Sequence, residues 1–133
     1  MLVAMVDTNV FDAVADDEAL RAVVLQAIAQ KRLRLVTTPV QEEQLAAVPD
    51  PRRRKALRRL PREVVPAPPR PGDDYAAVWA GQPKHVADAV IADTARARCD
   101  VLVTEDKRLA QRAAERGLAV WDVDRLARSL ACG

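Results

Sequence analysis

The sequence predicts an α/β fold of three layers, an α/β/α sandwich in which helices cover both faces of a central parallel sheet. Short apolar segments rich in β-branched residues alternate with longer segments whose apolar residues recur every three or four positions. The first apolar segment, Leu2–Val6, contains no polar residue, as is typical of a strand buried on both faces of a parallel sheet. The 133 residues, half of them apolar, suffice for one hydrophobic core, and we expect a single domain over residues 1–133.

Each element is predicted from its length and its apolar period. The predicted strands are short and apolar. In chain order they cover Leu2–Val6, Leu33–Thr37, 101–104 and 118–121. The predicted helices have an apolar stripe and recognisable ends. In chain order they cover 17–30, 39–48, 52–60, 73–79, 83–98, 106–116 and 123–130.

Several helix ends carry specific signals. Asp16 or Asp17 can cap the first helix, because a short side chain with an acceptor oxygen binds the free amides of the first turn. Thr38 followed by Pro39 is typical of the start of the next helix. Gly117 closes the helix over 106–116, since glycine readily takes the left-handed conformation that ends helices.

Composition excludes several classes of protein. The apolar run at residues 1–6 is far shorter than the roughly 20 residues of a membrane span and does not follow a basic segment, so we expect a cytoplasmic protein without a membrane partner. The two cysteines form no CxxC or Cys/His cluster, which argues against disulfides and zinc. One Phe, one Tyr and two Trp are too few for a base-stacking platform.

The net charge of +2 hides a local basic segment. Residues 52–62 contain seven Lys and Arg and no acid. This segment is either a solvated helix surface or a contact for phosphate or an acidic partner. The stretch that follows, 61–73, contains five prolines without a helical period and is predicted to be a stiff loop.

Three acidic residues are predicted to lie where parallel sheets bind their ligands, beyond the carboxyl ends of the strands. Asp7 follows the first strand, and Asp106 follows the strand over 101–104 together with Glu105. Asp88 lies in the first turns of the helix over 83–98, on its inward side.

A further source of carboxylate is the pair Glu42 and Glu43 in the helix over 39–48. Each acid also has a purely structural explanation, as a helix cap or a solvated charge. Asp7 fits such an explanation least, because a carboxylate directly after a buried strand is costly without a ligand. Thr8 and Asn9 beside it can hydrogen-bond to the carboxylate and fix its rotamer.

Converging carboxylates raise each other's pKa unless a cation joins them. Carboxylate ligands without His or Cys suit Mg²⁺ or Mn²⁺, which accept oxygen donors from protein and phosphate. Such an ion can activate a water for attack on a phosphodiester, in a one-metal or two-metal form. The acidic residues therefore favour a metal-dependent nuclease.

Three motifs together resemble the PIN domain family, with VapC-like toxins of type II toxin–antitoxin pairs as the nearest likeness. They are VDTNV at 6–10, DAVIA at 88–92 and VTEDKRL at 103–109. The resemblance covers nearly the whole chain and implies a parallel sheet flanked by helices, Mg²⁺ or Mn²⁺ at an acidic cluster, and endoribonuclease activity on RNA. It also implies a homodimer and a cognate antitoxin protein that inserts near the site.

Carried over by position, the resemblance makes Asp7, Asp88 and Asp106 the metal ligands, with Thr8, Asn9 and Thr104 in support. The family usually has a Glu six residues after a Ser or Thr at the second strand end, where this chain has Gln44. Either Glu43 supplies the missing charge, or the site has one carboxylate fewer and binds metal more weakly.

Two functions on this fold stay open. One is a metal-dependent ribonuclease toxin with Asp7, Glu43, Asp88 and Asp106 as its catalytic acids. The other is a degenerate scaffold that binds RNA or a protein without cleavage, as Gln44 suggests. A receiver-like phosphoacceptor domain is a third reading, but it requires an acidic dyad after the first strand that the sequence does not supply.

Basic residues near these acids are candidates for binding RNA phosphates, because the acidic centre itself repels RNA. The candidates are Arg52, Arg53, Arg54, Lys107 and Arg108. Docking of the antitoxin is equally compatible with the first three, and a solvated helix start with the last two.

Overall fold

The computed structural model of the chain describes residues 1–65 and 83–131, and for residues 83–89 it describes the backbone but not the side chains. The central sheet of this part has five parallel strands. In chain order they are β1 (Leu2–Val6), β2 (Leu33–Thr37), β3 (Glu63–Val64), β4 (Val101–Val103) and β5 (Val120–Trp121). They lie side by side in the order β3-β2-β1-β4-β5.

Helices connect the strands, as parallel pairing requires. Those in the described ranges are α1 (Thr8–Asp16), α2 (Glu18–Ala29), α3 (Pro39–Ala46), α4 (Pro51–Arg58), α5 (Pro83–Arg98), α6 (Lys107–Glu115) and α7 (Val123–Ala131). None of these helices is long and apolar enough to cross a membrane.

Successive residues of β1 point to opposite faces of the sheet and enter two separate hydrophobic clusters. Ala4 and Val6 pack with residues of α1, α2, α3, α4 and α7 on one face. Met5 packs with residues of α5 and α6 on the other face. The predicted three-layer fold with a central parallel sheet is therefore confirmed.

Helix α1 is missing from the prediction, which begins the first helix at residue 17. In the structure a helix starts directly after β1, with Asp7 as its N-terminal cap. Val10, Phe11 and Val14 are its buried residues. Asp17 is extended, separates α1 from α2 and caps α2 by accepting a hydrogen bond from the backbone N–H of Leu20 at 3.1 Å. Polar residues around this break obscure the helical period in the sequence.

The loop predicted over 61–73 is wrong at Glu63–Val64, which forms the edge strand β3. The backbone N–H of Val65 donates to the Thr37 carbonyl at 2.8 Å, and Glu63 forms an ion pair with Arg34 of β2. A two-residue strand is too short to show a period, so proline content dominates the prediction. The rest of that loop and the helix predicted over 73–79 fall outside the described residues.

Other local signals are confirmed. Thr38 caps α3 in a reciprocal arrangement with Gln41, and Asp106 caps α6. Gly117 takes a φ of +84° just after α6. Helices α3 and α4 end two residues earlier than predicted, at Ala46 and Arg58, because the chain turns at Ala47 and Arg59.

Candidate functional site

The strand order creates a crevice between β1 and β4. From β1 the chain proceeds to β2 and β3 on one side of the sheet, and β4 and β5 lie on the other side. In open parallel sheets, ligands bind outside the carboxyl ends of the strands at such a switch point. Asp7 follows β1 and Thr104 follows β4, so the two residues meet at this crevice.

Hydrogen bonds restrain both the carboxylate and the backbone of Asp7. Its side chain is buried, and the residue is 8% exposed. Oδ1 accepts from the backbone N–H of Thr8 at 2.8 Å, and Oδ2 accepts from the hydroxyl of Thr104 at 2.8 Å. Its own N–H donates to the carbonyl of Val103 at 3.0 Å. These contacts fix both the backbone and the carboxylate of Asp7.

Thr104 joins Asp7 to Asp106. The Thr104 hydroxyl, which is buried, donates to Asp7 and accepts from the backbone N–H of Asp106 at 3.0 Å. Asp106 Oδ1 in turn accepts from the backbone N–H groups of Arg108 and Leu109 at 2.9 and 3.3 Å. The two acids predicted at the ends of β1 and β4 therefore belong to one hydrogen-bonded unit.

Gln44 reaches the same site from α3. The hydroxyl of Thr8 donates to Gln44 Oε1 at 2.7 Å. A carboxylate at position 44 could accept the same hydrogen bond, so the geometry would admit a Glu there. Glu43 is exposed on α3, and Asn9 is exposed in the first turn of α1. The hydrogen bond from Thr8 thus goes to position 44.

Gln41 is a buried support that the sequence does not single out. Its Nε2 donates to the carbonyl of Val6, the residue before Asp7. Its Oε1 accepts from the N–H of Thr38 at 2.9 Å and from the Thr38 hydroxyl at 3.2 Å. The side-chain amide thus bridges the ends of β1 and β2, where the backbone pairing of the two strands stops. The only sequence signal is its place three residues after the cap.

Glu42 has a structural partner. Arg62 donates to its two carboxylate oxygens at 2.7 and 2.9 Å, and the Thr37 hydroxyl donates at 2.8 Å. The hydrogen bond from Arg62 is the largest cause that holds the pKa of Glu42 below its ordinary value. Arg62 also donates to the carbonyls of Leu57 and Leu60 and lies over the ring of Phe11. Glu42 and Arg62 therefore hold α3 against the chain after α4.

The basic residues of α4 differ in their surroundings. Arg53 forms ion pairs with Asp12 and Asp16 of α1, and its hydrogen bond lowers the pKa of Asp16. Arg54 donates to the Val48 carbonyl at 3.1 Å. Arg52 is exposed. The acidic partners of Arg53 lie on the helix that the sequence analysis misses, so this ion pair could not be foreseen.

The acids and bases around β4 also have distinct roles. Glu105 Oε1 accepts from the backbone N–H of Val123 at 2.8 Å, so this acid caps α7. Lys107 and Arg108 are exposed at the start of α6, beside Asp106.

Asp88 lies on the backbone of α5, but its side chain falls outside the described residues. Asp93, five residues further along α5, is buried. Among the described side chains no group of three or more His, Cys, Asp and Glu is placed to hold a metal ion. Asp7 offers a carboxylate beside the Thr104 hydroxyl, and Asp106 offers a carboxylate two residues further along the chain. Such oxygen donors suit Mg²⁺ or Mn²⁺, which would require further ligands from water, substrate or a third side chain.

Comparison with known structures shows the same fold. The chain is 22% identical to PAE2754 from Pyrobaculum aerophilum, with a TM-score of 0.64 over 99% of this chain and 91% of that one. It is 15% identical to a PilT N-terminus domain protein from the archaeon Sulfolobus solfataricus P2, with a TM-score of 0.53 over 97% of this chain and 93% of that one. It is 19% identical to the PIN domain endonuclease Utp24, with a TM-score of 0.57 over 90% of this chain and 84% of that one.

No curated protein matches the sequence. The PIN domain family, in contrast, matches residues 4–115 of the 133. This match spans β1 through α6 and includes Asp7, Thr104 and Asp106. The chain therefore belongs to the PIN domain family, a family of nucleases that act on RNA.

Proposed function

We propose that this protein is a divalent-metal-dependent endoribonuclease in which Asp7, Asp106 and Asp88 hold Mg²⁺ or Mn²⁺. The observation that carries the proposal is the hydrogen-bonded unit of Asp7, Thr104 and Asp106 at the crevice between β1 and β4. Thr104 ties the Asp7 carboxylate to the backbone of Asp106. Carboxylates that converge on one point repel each other, and a divalent metal between them would remove that repulsion.

The chain's own residues contribute orientation. Thr8 and Thr104 each donate a hydrogen bond to one oxygen of Asp7, which orients the carboxylate before a ligand enters. Asp106 is fixed in the same way by its cap contacts with α6. When bound, Mg²⁺ or Mn²⁺ would activate a water and offset the charge of the scissile phosphate.

Cationic residues would hold the RNA beside this acidic centre. Lys107 and Arg108 are exposed next to Asp106, and Arg52 is exposed on α4. Arg53 is paired with Asp12 and Asp16, and Arg54 donates to the Val48 carbonyl. To bind an RNA phosphate, each of these arginines would have to share its donors between the phosphate and its present partners.

The decisive experiment is cleavage of a mixed pool of structured RNAs with Mn²⁺, with Mg²⁺ and with EDTA. Asp7→Asn is the control, because asparagine can still cap α1 and so keep the fold. We expect metal-dependent cleavage by the wild type and none by the variant. Equal cleavage by both proteins would refute the assignment of Asp7.

A second function, a scaffold that binds RNA or a protein without cleavage, is favoured by Gln44, an amide in contact with Thr8 at the site. Gln44→Glu separates the two proposals. If the natural site is impaired, the added carboxylate raises Mn²⁺ affinity and cleavage strongly. If Gln44 is neutral for activity, the variant cleaves as the wild type does.

The biological role that we propose is the toxin of a type II toxin–antitoxin pair, acting in the cytoplasm as a single-domain homodimer under control of an antitoxin protein. Its support is the resemblance of the three motifs to VapC-like toxins. Induced expression in bacteria should arrest growth, and Asp7→Asn should relieve the arrest. Light scattering of the purified protein tests the dimer.

A further inference from the structure

The segment 52–62 carries more positive charge than its own packing uses. It contains seven Lys and Arg and no acid. Three of these residues bind groups of the protein itself, and the other four are exposed and form no ion pair within the described part of the chain. The first set is Arg53, Arg54 and Arg62. The second set, which we call the cationic face of α4, is Arg52, Lys55, Arg58 and Arg59.

The engaged arginines fix α4 against the two helices that reach the candidate site. Arg53 pairs with Asp12 of α1, five residues after Asp7, so the first turn of α4 lies beside a point about 8 Å along α1 from the strand end. Arg62, which follows α4, pairs with Glu42 of α3. The cationic face is therefore held in a fixed position relative to the crevice between β1 and β4.

Three members of the cationic face form a row. Arg52, Lys55 and Arg59 recur at spacings of three and four residues, which places them on one side of the helix. Leu57 on the other side is buried. The row extends over about 10 Å of helix. Because the segment 52–62 contains no aromatic residue, the row can contact a phosphate backbone but offers no ring on which a base could stack.

This arrangement costs stability in the protein without a ligand. Like charges four residues apart on a helix, such as Lys55 and Arg59, repel each other. The first turn of α4 contains arginines and no acid, although the helix dipole favours acids there. A solvated helix surface normally mixes both signs of charge. A polyanion would remove the repulsion and gain affinity from the counterions that it releases.

We propose that the cationic face of α4 binds the phosphate backbone of an RNA segment outside the point of cleavage. The inference rests on the proposed action on RNA, and it extends the contact from Arg52 to Lys55, Arg58 and Arg59. An RNA that enters the crevice at Asp7 would continue along α1 to this face. The contact recognises charge and not sequence, so it would strengthen the binding of any RNA that is long enough to reach α4.

The test is the salt dependence of the binding of a labelled single-stranded RNA to the metal-free protein in EDTA, where binding is measured without cleavage. Lys55→Gln/Arg59→Gln removes two cations from the face. Arg96→Gln/Arg98→Gln is the matched control, because these two arginines are exposed at the end of α5, before β4 begins, and so lie at the opposite edge of the sheet. The two double variants have the same net charge, so a difference between them reports the position of the charge.

We expect the slope of log Kd against log salt concentration to fall by about 1.4 in Lys55→Gln/Arg59→Gln, which is about 0.7 for each lost phosphate contact. The slope of Arg96→Gln/Arg98→Gln should equal that of the wild type. Neither pair forms an ion pair within the described ranges, so both double variants should melt near the temperature of the wild type, which shows that a lost affinity is not lost folding.

An unchanged slope in Lys55→Gln/Arg59→Gln, an equal loss in both double variants, or no binding of RNA at all would overturn the proposal and leave the face to solvent or to an acidic protein. Cleavage that requires Asp7, together with an unchanged slope, would keep the nuclease and remove the contact on α4. Binding that depends on Lys55 and Arg59 without any cleavage would keep the contact and remove the nuclease.

Discussion

Removal of the Thr104 hydroxyl tests whether one side chain holds the two acids together. Thr104→Val keeps the shape of the side chain but deprives the Asp7 carboxylate of a donor and the Asp106 N–H of an acceptor. A hydrogen bond to a charged group contributes about 1.5–3 kcal/mol and a neutral one about 1 kcal/mol. The variant should therefore lose about 2–4 kcal/mol of unfolding free energy.

Thermal unfolding in EDTA measures this loss without metal binding. For 133 residues, a loss of about 3 kcal/mol lowers Tm by about 10 °C. Thr104→Ser is the matched control, because serine keeps the hydroxyl and should retain most of the stability. If Thr104→Val unfolds at the same temperature as Thr104→Ser, the hydroxyl does not join the two acids and the site geometry is wrong.

Three more changes test the surroundings of the site. The pKa of Glu42 in the folded protein lies below its ordinary value of 4.5, so Glu42 stabilises the fold fully above that pH and loses this effect as the pH falls through the folded pKa. In urea unfolding, the difference in unfolding free energy between the wild type and Glu42→Gln should therefore shrink on acidification. A constant difference would contradict the ion pair with Arg62. Gln41→Leu leaves two buried backbone groups unpaired and should cost about 2–6 kcal/mol in the same assay, whereas Gln26→Leu on the exposed face of α2 should cost little. Arg52→Ala should lower the salt dependence of RNA binding by about 0.7 in log–log slope, while Arg53→Ala should mainly lower Tm; an unchanged slope would remove Arg52 from the RNA contact.

Local signals made much of the fold and part of the site predictable. Asp7 and Asp106 could be placed at strand ends because each directly follows an apolar segment, and parallel strands bring such ends to one edge of a sheet. Thr38 with Pro39, and Gly117, could be recognised because caps depend on residue type within a few positions. The three layers then follow from the alternation of strands and helices.

Contacts between distant parts of the sequence could not be predicted. From the sequence Glu42 is a candidate site acid, but in the structure Arg62, twenty residues later, binds it. From the sequence Arg53 is a candidate phosphate ligand, but in the structure it forms ion pairs with two acids of α1. These pairs could not be predicted because α1 was not predicted. Gln41 shows no sign of its contact with Val6, because an amide is equally common on exposed helix faces.

The measurement that tests the central claim most directly is a titration of the metal-free protein with Mn²⁺, followed by electron paramagnetic resonance of the free ion. Asp16→Asn is the matched control. Asp16 is also a carboxylate, but it lies at the end of α1 and forms an ion pair with Arg53. The account predicts that the wild type and Asp16→Asn bind Mn²⁺ alike and that Asp7→Asn binds it more than about 10-fold more weakly. Equal Mn²⁺ affinity in Asp7→Asn and the wild type would contradict it.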